Sequence, residues 1–349
     1  MRNYVKILLL LFVLALSGCN GNKSREKPDV SDIKVSIKLQ RFDDDLFQLK
    51  GGDFIKQQDL MSQKYGPFYN FYVNQFIVGP RPAGDTLNIN IDAIQKFLND
   101  DYIKRIQDSI NVHFANVSDV EMELNSAIRY CKYYFPEIQI PQVIGVNSGF
   151  SLGSFTYGKD VLGIGLDLYL GGDNPDYDSA GIYQYVQHKM SRGYIARNSM
   201  EVMYNLYFGD GESSLEKPLI EAMIDKGKKI YFLSYVLPDA PDSLLVGFTQ
   251  PQTKWCESSE YEIWKFLNDK DLLYKNDYMD KKRYLDEGPT TAGMPADAPG
   301  NIGSWIGLQI VRKFMANTGG KISLHDLITK YDSKVILEKS KYRPGKSVF

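Results

Sequence analysis

The amino-acid sequence predicts an α+β fold that is predominantly helical and has a small sheet. Apolar residues recur at helical spacing through residues 53–135 and through most of the chain after residue 178. Between these parts, residues 142–170 show the β-branched and aromatic alternation that is typical of strands. Composition does not shift along residues 33–349, so we expect a single globular domain over that range.

The first 18 residues are predicted to be a lipoprotein signal peptide. Arg2 and Lys6 give it a positive start, and an unbroken apolar run of ten residues follows from Ile7 to Leu16. A run of this length is too short to span a bilayer as a stable helix and suits a signal peptide. Small residues then precede Cys19, which we expect to become the lipidated amino terminus. Diacylglycerol on the thiol and an acyl chain such as palmitate on the new amine would supply the several lipid chains that durable anchoring requires.

Residues 19–32 are predicted to be the lipidated amino terminus and a flexible tether, because they are polar and lack apolar periodicity. The formal net charge of the chain is −2, and removal of Arg2 and Lys6 with the signal peptide takes it to −4. This mild acidity, without a dense basic cluster, argues against nucleic acid as a partner. The predicted lipidation of Cys19 and the polar tether lead us to expect a membrane-anchored protein of the cell envelope. We expect its domain to face the periplasm rather than the cell surface.

Local patterns predict the first elements of the domain. Residues 33–40 alternate strictly between apolar and polar side chains, which predicts a half-buried strand. Asp43–Asp45 is expected to cap a helix that starts near Leu46. The helical pattern breaks near residues 79–82, and a hairpin is expected near Tyr157 to Asp160.

The later elements are predicted to be helices separated by one long loop. Helices are expected over residues 198–208 and 217–236, and the Pro- and Gly-rich residues 288–303 predict the loop. Residues 303–314 predict a buried amphipathic helix that carries Trp305, Ile306, Ile310 and Phe314 near the core. Gly303 and Gly307 are four residues apart, which would let another element approach this helix closely.

The cysteines and histidines give little sign of a disulfide framework or a metal site. Cys131 lies on an apolar helical stripe and is expected to be a buried free thiol, with a bridge to Cys256 left open. The three histidines are widely separated and form no ligand-like pair. Asp173–Asp178 has the composition of a calcium loop, but the EF-hand spacing fails, so a solvated turn is expected.

The stretch NSMEVMYNLYFG, residues 198–209, has the outline of the zinc-peptidase helix H-E-x-x-H with both histidines missing. Met200 and Tyr204 stand at the two histidine positions, and Glu201 stands at the position of the general base. On the next helix, Asp225 stands where the third ligand would be. A thioether, a phenol and one carboxylate are a poor ligand set for zinc, so no metal or other cofactor is expected.

Each of these four positions also has an ordinary structural interpretation. Met200 and Tyr204 fit core packing, since they recur at helical spacing with other large side chains. Asp225 fits an ion pair with Lys229 on a solvated face, because the two residues are four apart in a helix. From the residues alone, the structural interpretation is the stronger one.

The sequence resembles the family of gliding-motility lipoproteins called GldB over nearly the whole mature chain. The resemblance rests on five motifs that occur in order: residues 41–47 (RFDDDLF), 235–242 (YVLPDAPD), 255–257 (WCE) leading to Trp264, 299–311 (PGNIGSWIGLQIV) and 340–344 (SKYRP). The family is itself similar to predicted zinc peptidases of the zincin fold. The resemblance therefore implies a zincin-like scaffold, and this chain departs from it at Met200, Tyr204 and Asp225.

Together, the residues and the resemblance predict a non-catalytic, lipid-anchored envelope protein with a degenerate peptidase-like site. The resemblance implies a role in gliding motility or an associated envelope machinery, with protein partners in the envelope. Two alternatives remain at this point. One is a lipid-anchored metallohydrolase with unrecognised ligands, which bound zinc would favour. The other is a solute- or glycan-binding lipoprotein, which exposed aromatic residues lining a groove would favour.

Overall fold

The computed structural model describes residues 27–49, 54–79, 91–209 and 216–345. These residues form many helices and one small sheet, which confirms the predicted α+β class with its helical majority. The four strands are β1 (Leu39–Arg41), β2 (Gln142–Val146), β3 (Ser154–Tyr157) and β4 (Val161–Gly165).

The helices occupy most of the remaining described residues. They are α1 (Phe42–Phe47), α2 (Phe54–Tyr65), α3 (Pro67–Tyr72), α4 (Ile91–Asn99), α5 (Asp101–His113), α6 (Ser118–Tyr134), α7 (Asp176–Ser179), α8 (Gln184–Gln187), α9 (Ile195–Phe208), α10 (Leu219–Val236), α11 (Asp242–Val246), α12 (Gln250–Ser258), α13 (Glu260–Asp269), α14 (Tyr278–Leu285), α15 (Ile302–Asn317), α16 (Leu324–Lys330) and α17 (Ser333–Ser340). A π-helical segment covers Val73–Val78, and 3-10 turns cover Leu166–Tyr169 and Arg192–Tyr194.

The contacts divide the chain into two units, Met1–Asp32 and Ile33–Phe349. Of the first unit only residues 27–32 are described, and there the backbone N–H of Ser31 donates to the Asp29 side chain at 2.9 Å. The predicted signal peptide, Cys19 and most of the predicted tether lie outside the described residues. The division into signal peptide, tether and domain therefore stays a prediction.

The sheet has the strand order β1-β2-β4-β3. Strands β1, β2 and β4 are parallel, whereas β3 runs antiparallel to β4 and pairs Tyr157 with Val161. The predicted hairpin near Tyr157 to Asp160 is thus confirmed, and its turn contains Gly158 at a φ of 59°. All five residues of β4 are buried, as expected for a parallel strand that is covered on both faces.

The predicted strand at residues 33–40 is wrong in extent, because only Leu39 and Gln40 of that range belong to a strand. The predicted alternation of burial is present, with Val35, Ile37 and Leu39 buried. In place of a neighbouring strand, the side chain of Asn125 on α6 bonds both the N–H and the C=O of Ile37, at 2.8 and 3.1 Å. A helix side chain therefore satisfies the backbone groups that a strand would have satisfied.

The predicted cap at Asp43–Asp45 is also wrong, since α1 already begins at Phe42 and contains all three aspartates in its first turn. Acidic residues are favourable there, because the helix dipole places positive charge at that end. Asp43 is fully buried and accepts hydrogen bonds from Arg41 and from Gln107, the latter at 2.7 Å. This carboxylate therefore joins the end of β1 to α5.

Two hydrophobic cores lie on opposite faces of the sheet. The larger core holds Val143 and Leu162, which are paired in register, together with the helices from α9 onward. The smaller core holds Ile144 and packs the sheet against α1, α2 and α3. Its aromatic side chains meet at short range, with the ring centroids of Phe42 and Tyr72 4.6 Å apart.

Helices α10 and α15 form a close helix pair at the centre of the larger core. The helix predicted at residues 303–314 is confirmed as α15, and its predicted core residues are all buried. Residues 302–308 are buried on all sides, so this part is less amphipathic than predicted. A Cβ built on Gly307 would lie 1.7 Å from the carbonyl oxygen of Met223, and one on Gly227 would lie 2.3 Å from the carbonyl oxygen of Gly307. The backbones of the two helices are therefore in contact at these glycines.

Candidate functional site

The helix with the zinc-peptidase outline is α9, which begins at Ile195, three residues earlier than predicted, and ends at Phe208. It packs against β3 and β4 on one side and next to α10 on the other. The hydroxyl groups of Ser199 on α9 and Ser154 on β3 lie 3.3 Å apart. This placement brings the residues singled out on α9 and α10 into one region of the molecule.

Met200 and Tyr204, at the two histidine positions, are core residues. Met200 is fully buried, and Tyr204 is 8% exposed. The ring of Tyr204 packs against those of Phe208 and Phe232, with centroids 5.5 and 5.2 Å away. These contacts hold the two side chains by packing, and neither supplies a good ligand for zinc.

Glu201, at the position of the general base, is held by two cations. Its carboxylate pairs with Arg197, one turn earlier on α9, and with Lys229 on α10 at 2.7 Å. Burial alone would raise the pKa of Glu201, but the charges of Arg197 and Lys229 outweigh burial and lower the pKa to about 2. A carboxylate with so low a pKa is a weak proton acceptor near neutral pH.

Asp225, at the position of the third ligand, pairs with Lys217 at 2.7 Å and accepts a hydrogen bond from the hydroxyl group of Ser333. The sequence interpretation that pairs Asp225 with Lys229 is therefore wrong, because Lys229 reaches across to Glu201 instead. An (i, i+4) pair contributes only ~0.2–0.5 kcal/mol. A tertiary partner of opposite charge easily displaces so weak a pairing.

The four positions lie on adjacent helices but in different surroundings. Tyr204 and Asp225 line a cavity of about 590 Å³, which we call the lysine cavity. Its described lining residues belong to α9, α10, α14 and α16 or directly follow α9 and α14; they are Tyr204, Asn205, Phe208, Gly209, Ala222, Asp225, Lys226, Lys228, Lys229, Tyr278, Lys281, Lys282, Leu285, Asp286 and Ile328. Glu201 lines a neighbouring cavity of about 530 Å³. Asn205, Lys226 and Lys229 line both cavities.

Within the described ranges, no group of three or more His, Cys, Asp or Glu side chains is placed to hold a metal ion. The three histidines are engaged elsewhere. His113 bonds the carbonyl of Ser109, His188 bonds that of Gly247, and His325 pairs with Glu137 at 3.2 Å. Cys131 and Cys256 are both buried free thiols.

Sequence reasoning did not find the lysines of the cavity. Lys226, Lys228 and Lys229 lie together on α10, and Lys281 and Lys282 lie together on α14. Each group in isolation resembles a solvated helix face. Only the packing of α14 beside α10 brings the two groups to one cavity, and a single sequence does not reveal that packing.

The family comparison covers the described domain. A family model described as "Gliding motility protein GldB" matches residues 23–344. The chain belongs to the GldB family. The match confirms the resemblance that the five motifs carry, and it associates the chain with gliding motility and the cell envelope.

The other comparisons add no relatives: no curated protein and no solved structure matches the chain. Among the residues that the structure describes, no helix is long and apolar enough to cross a membrane. Two of the five motifs that carry the resemblance contact each other in the structure. The ring of Trp264 packs edge-on against that of Tyr342, with centroids 5.0 Å apart, and the Tyr342 hydroxyl donates to Glu260 at 2.8 Å. These contacts fasten the C-terminal motif to α13.

Proposed function

We propose that this GldB-family chain is a non-catalytic lipoprotein, anchored through Cys19, that acts with protein partners in gliding motility or an associated machinery of the cell envelope. The family match supports the envelope and motility role. The lipobox sequence before Cys19 supports the anchor. We place the folded domain on the periplasmic side of its membrane.

One observation carries the non-catalytic part of the proposal. Arg197 and Lys229 hold the Glu201 carboxylate from two helices, so the residue at the position of the general base is part of an ion-pair network. A general base in a metallopeptidase polarises a metal-bound water. Here the corresponding ligand positions hold Met200 and Tyr204 in the core and Asp225 in an ion pair.

We also propose that the scaffold is zincin-like with the metal ligands lost. The placement of α9 against β3 and β4, with α10 beside it, supports this. In this interpretation the former catalytic helix α9 now packs in the core. Glu201, at the position of the former general base, now forms an ion pair that joins α9 to α10.

The experiment that tests the function is complementation of a gliding strain that lacks its own GldB-family protein. We expect the wild-type chain and the Glu201→Gln variant to restore colony spreading, and the Cys19→Ser variant to fail. Folded Glu201→Gln protein at wild-type abundance that does not restore spreading would overturn the non-catalytic proposal.

A second candidate function, that of a solute-binding lipoprotein, is favoured by one observation. Tyr278 is 54% exposed and lines the lysine cavity, so an aromatic ring stands at a concave surface. Aromatic rings that are exposed at a cavity are typical of ligand sites, where they supply apolar contact area.

A further inference from the structure

The lysine cavity has the size and the lining of a small-molecule site. Its volume of about 590 Å³ falls in the range of ligand pockets, ~300–1,000 Å³. Tyr204, Phe208 and Tyr278 give it aromatic surface, and two of its walls are the long helices α9 and α10. These two walls are preformed, because α9 and α10 are packed into the larger core.

Positive charge dominates this cavity. Among the residues that the structure describes, its lining contains five lysines and two aspartates, Asp225 and Asp286. Two of the lysines brace the structure: Lys228 donates to the carbonyls of Ile328 and Tyr331 at the end of α16, and Lys281 donates to the carbonyl of Lys217 and to Asn276. The charges of these two ammonium groups nevertheless add to the potential in the cavity.

Lys226 is the lysine best placed to meet a ligand. It lines both cavities, and its ammonium group donates to the backbone carbonyl of Leu285. Burial lowers the pKa of Lys226, and the neighbouring charge of Lys229 lowers it further, against the opposing charges of Asp286 and Glu287. Burial and the nearby charge of Lys229 both disfavour the charged form of Lys226. An anion beside Lys226 would stabilise that charged form.

Lys282 supplies a second cation at the exposed side of the cavity. It is on the solvent side of α14, and its ammonium group lies 5.9 Å from the centre of the Tyr278 ring. Lysine ammonium groups are compact charges on flexible stems, and they bind phosphate well without the planar geometry that arginine imposes. One carboxylate group carries a single negative charge, whereas one phosphate monoester group carries up to two. An excess of lysine therefore favours the phosphate.

We propose that the lysine cavity binds a phosphate-bearing small molecule, with the phosphate between Lys226 and Lys282 and the remainder of the molecule against Tyr204, Phe208 and Tyr278. This inference is independent of the role in gliding. The phosphate could belong to a soluble ester or to a lipid headgroup, and competition between the two distinguishes these sources.

The first test is isothermal titration of the purified full chain with inorganic pyrophosphate at constant ionic strength. We expect saturable binding that weakens at least tenfold in Lys226→Met and in Lys282→Gln. The matched control is Lys254→Gln, an exposed lysine on α12 that does not line the cavity, and it should bind as wild type does. Absence of binding to the wild type, or equal weakening in all three variants, overturns the proposal.

Melting temperatures of the variants distinguish a loss of pyrophosphate binding from a loss of folding. Lys226→Met removes a desolvated charge and keeps most of the unbranched stem of the side chain, so we expect its melting temperature without ligand to be equal to or above that of wild type. If Lys226→Met is unfolded, the Lys282→Gln variant alone tests whether the lysine cavity binds pyrophosphate. Lys282 is exposed, so its substitution should leave the protein folded.

The second test identifies the source of the phosphate. Bound pyrophosphate is challenged with glycerol 3-phosphate and, separately, with the soluble short-chain lipid dihexanoyl phosphatidylglycerol. Stronger displacement by the first indicates a soluble phosphate ester, and stronger displacement by the second indicates a lipid headgroup. Displacement by neither overturns the proposal.

Discussion

The ammonium group of Lys229 on α10 lies 2.7 Å from the carboxylate of Glu201 on α9, and this pair connects two different helices. Arg197 completes the arrangement from one turn earlier on α9. The side chain of Glu201 is 24% exposed, so solvent screens the three charges only partly. Glu201, which stands at the position of a catalytic base, thus connects α9 to α10 by an ion pair. The stabilisation from this pair depends on the ionisation of Glu201.

We predict that Glu201→Gln lowers the free energy of unfolding at pH 7 by ~2–3 kcal/mol. The pKa of Glu201 in the folded protein is about 2, below its ordinary value of 4.5, so folding stabilises the ionised form. This stabilisation is present above pH 4.5 and is lost as the pH falls toward 2. We therefore expect the free energies of unfolding of wild type and variant, measured by urea denaturation, to differ by ~1 kcal/mol less at pH 3.5 than at pH 7.

The matched control for this measurement is Glu262→Gln, an exposed glutamate on α13. It should change the free energy of unfolding by less than ~0.5 kcal/mol at either pH, as surface substitutions usually do. A Glu201→Gln difference that stays constant from pH 7 to pH 3.5 would contradict the proposed ion-pair link, because a packing defect does not titrate.

We predict that Gly307→Ala destabilises the protein by ~1–3 kcal/mol through overpacking. The added methyl group would lie 1.7 Å from the carbonyl oxygen of Met223, and backbone atoms cannot rotate out of the way as a side chain can. Thermal unfolding measures the effect. The control is Gly193→Ala, where a Cβ meets nothing within 4 Å and the melting temperature should be nearly unchanged.

The sequence was sufficient to predict the elements whose signals are local. The hairpin at Tyr157 to Asp160 and the buried helix with Gly303 and Gly307 both follow from short patterns. The strand at residues 33–40 shows the limit of such patterns. Alternation correctly predicted which side chains are buried, but it could not show that Asn125 would replace a neighbouring strand beside Ile37.

The sequence predicted the positions of the candidate-site residues along the helices but not their partners, because the partners come from other elements of the fold. Met200, Glu201 and Tyr204 could be placed on one helix and Asp225 on the next. Their partners Lys229, Lys217 and Ser333 were decided by packing between elements that are distant in sequence. The lysine cavity was missed for the same reason, since α10 and α14 contribute its cations separately.

We predict that Cys19→Ser abolishes incorporation of labelled palmitate and either releases the protein from membranes or leaves it held by an uncleaved signal peptide. The reason is that, in the proposed function, the thiol of Cys19 accepts the lipid and the bond before Cys19 is the site of processing. Cys256→Ala is the control, because that thiol is buried in the folded domain and its loss should leave the label unchanged. Equal labelling of Cys19→Ser and wild type would show that the anchor is elsewhere.

The degenerate site on α9 and α10 is predicted not to bind zinc. We expect purified protein refolded with excess zinc to carry no stoichiometric metal by elemental analysis. The thioether of Met200, the phenol of Tyr204 and the lysine-paired carboxylate of Asp225 form a poor ligand set. One tightly bound zinc per chain, lost on substitution of Glu201 or Asp225, would overturn the proposal of a non-catalytic protein and favour a hydrolase.

A designed variant tests the zincin-like scaffold more directly. Met200→His, Tyr204→His and Asp225→Glu together restore two imidazoles at i and i+4 and a carboxylate on the facing helix. If α9 and α10 retain the zincin arrangement, this variant should gain zinc that wild type lacks. The matched control moves the histidines by two residues, to Val202→His and Leu206→His with Asp225→Glu, which keeps the i, i+4 spacing but places the pair on the opposite face of α9. A folded triple variant without zinc, or equal binding by the control, means that the two helices do not have the zincin geometry, because only that geometry aims all three ligands at one point.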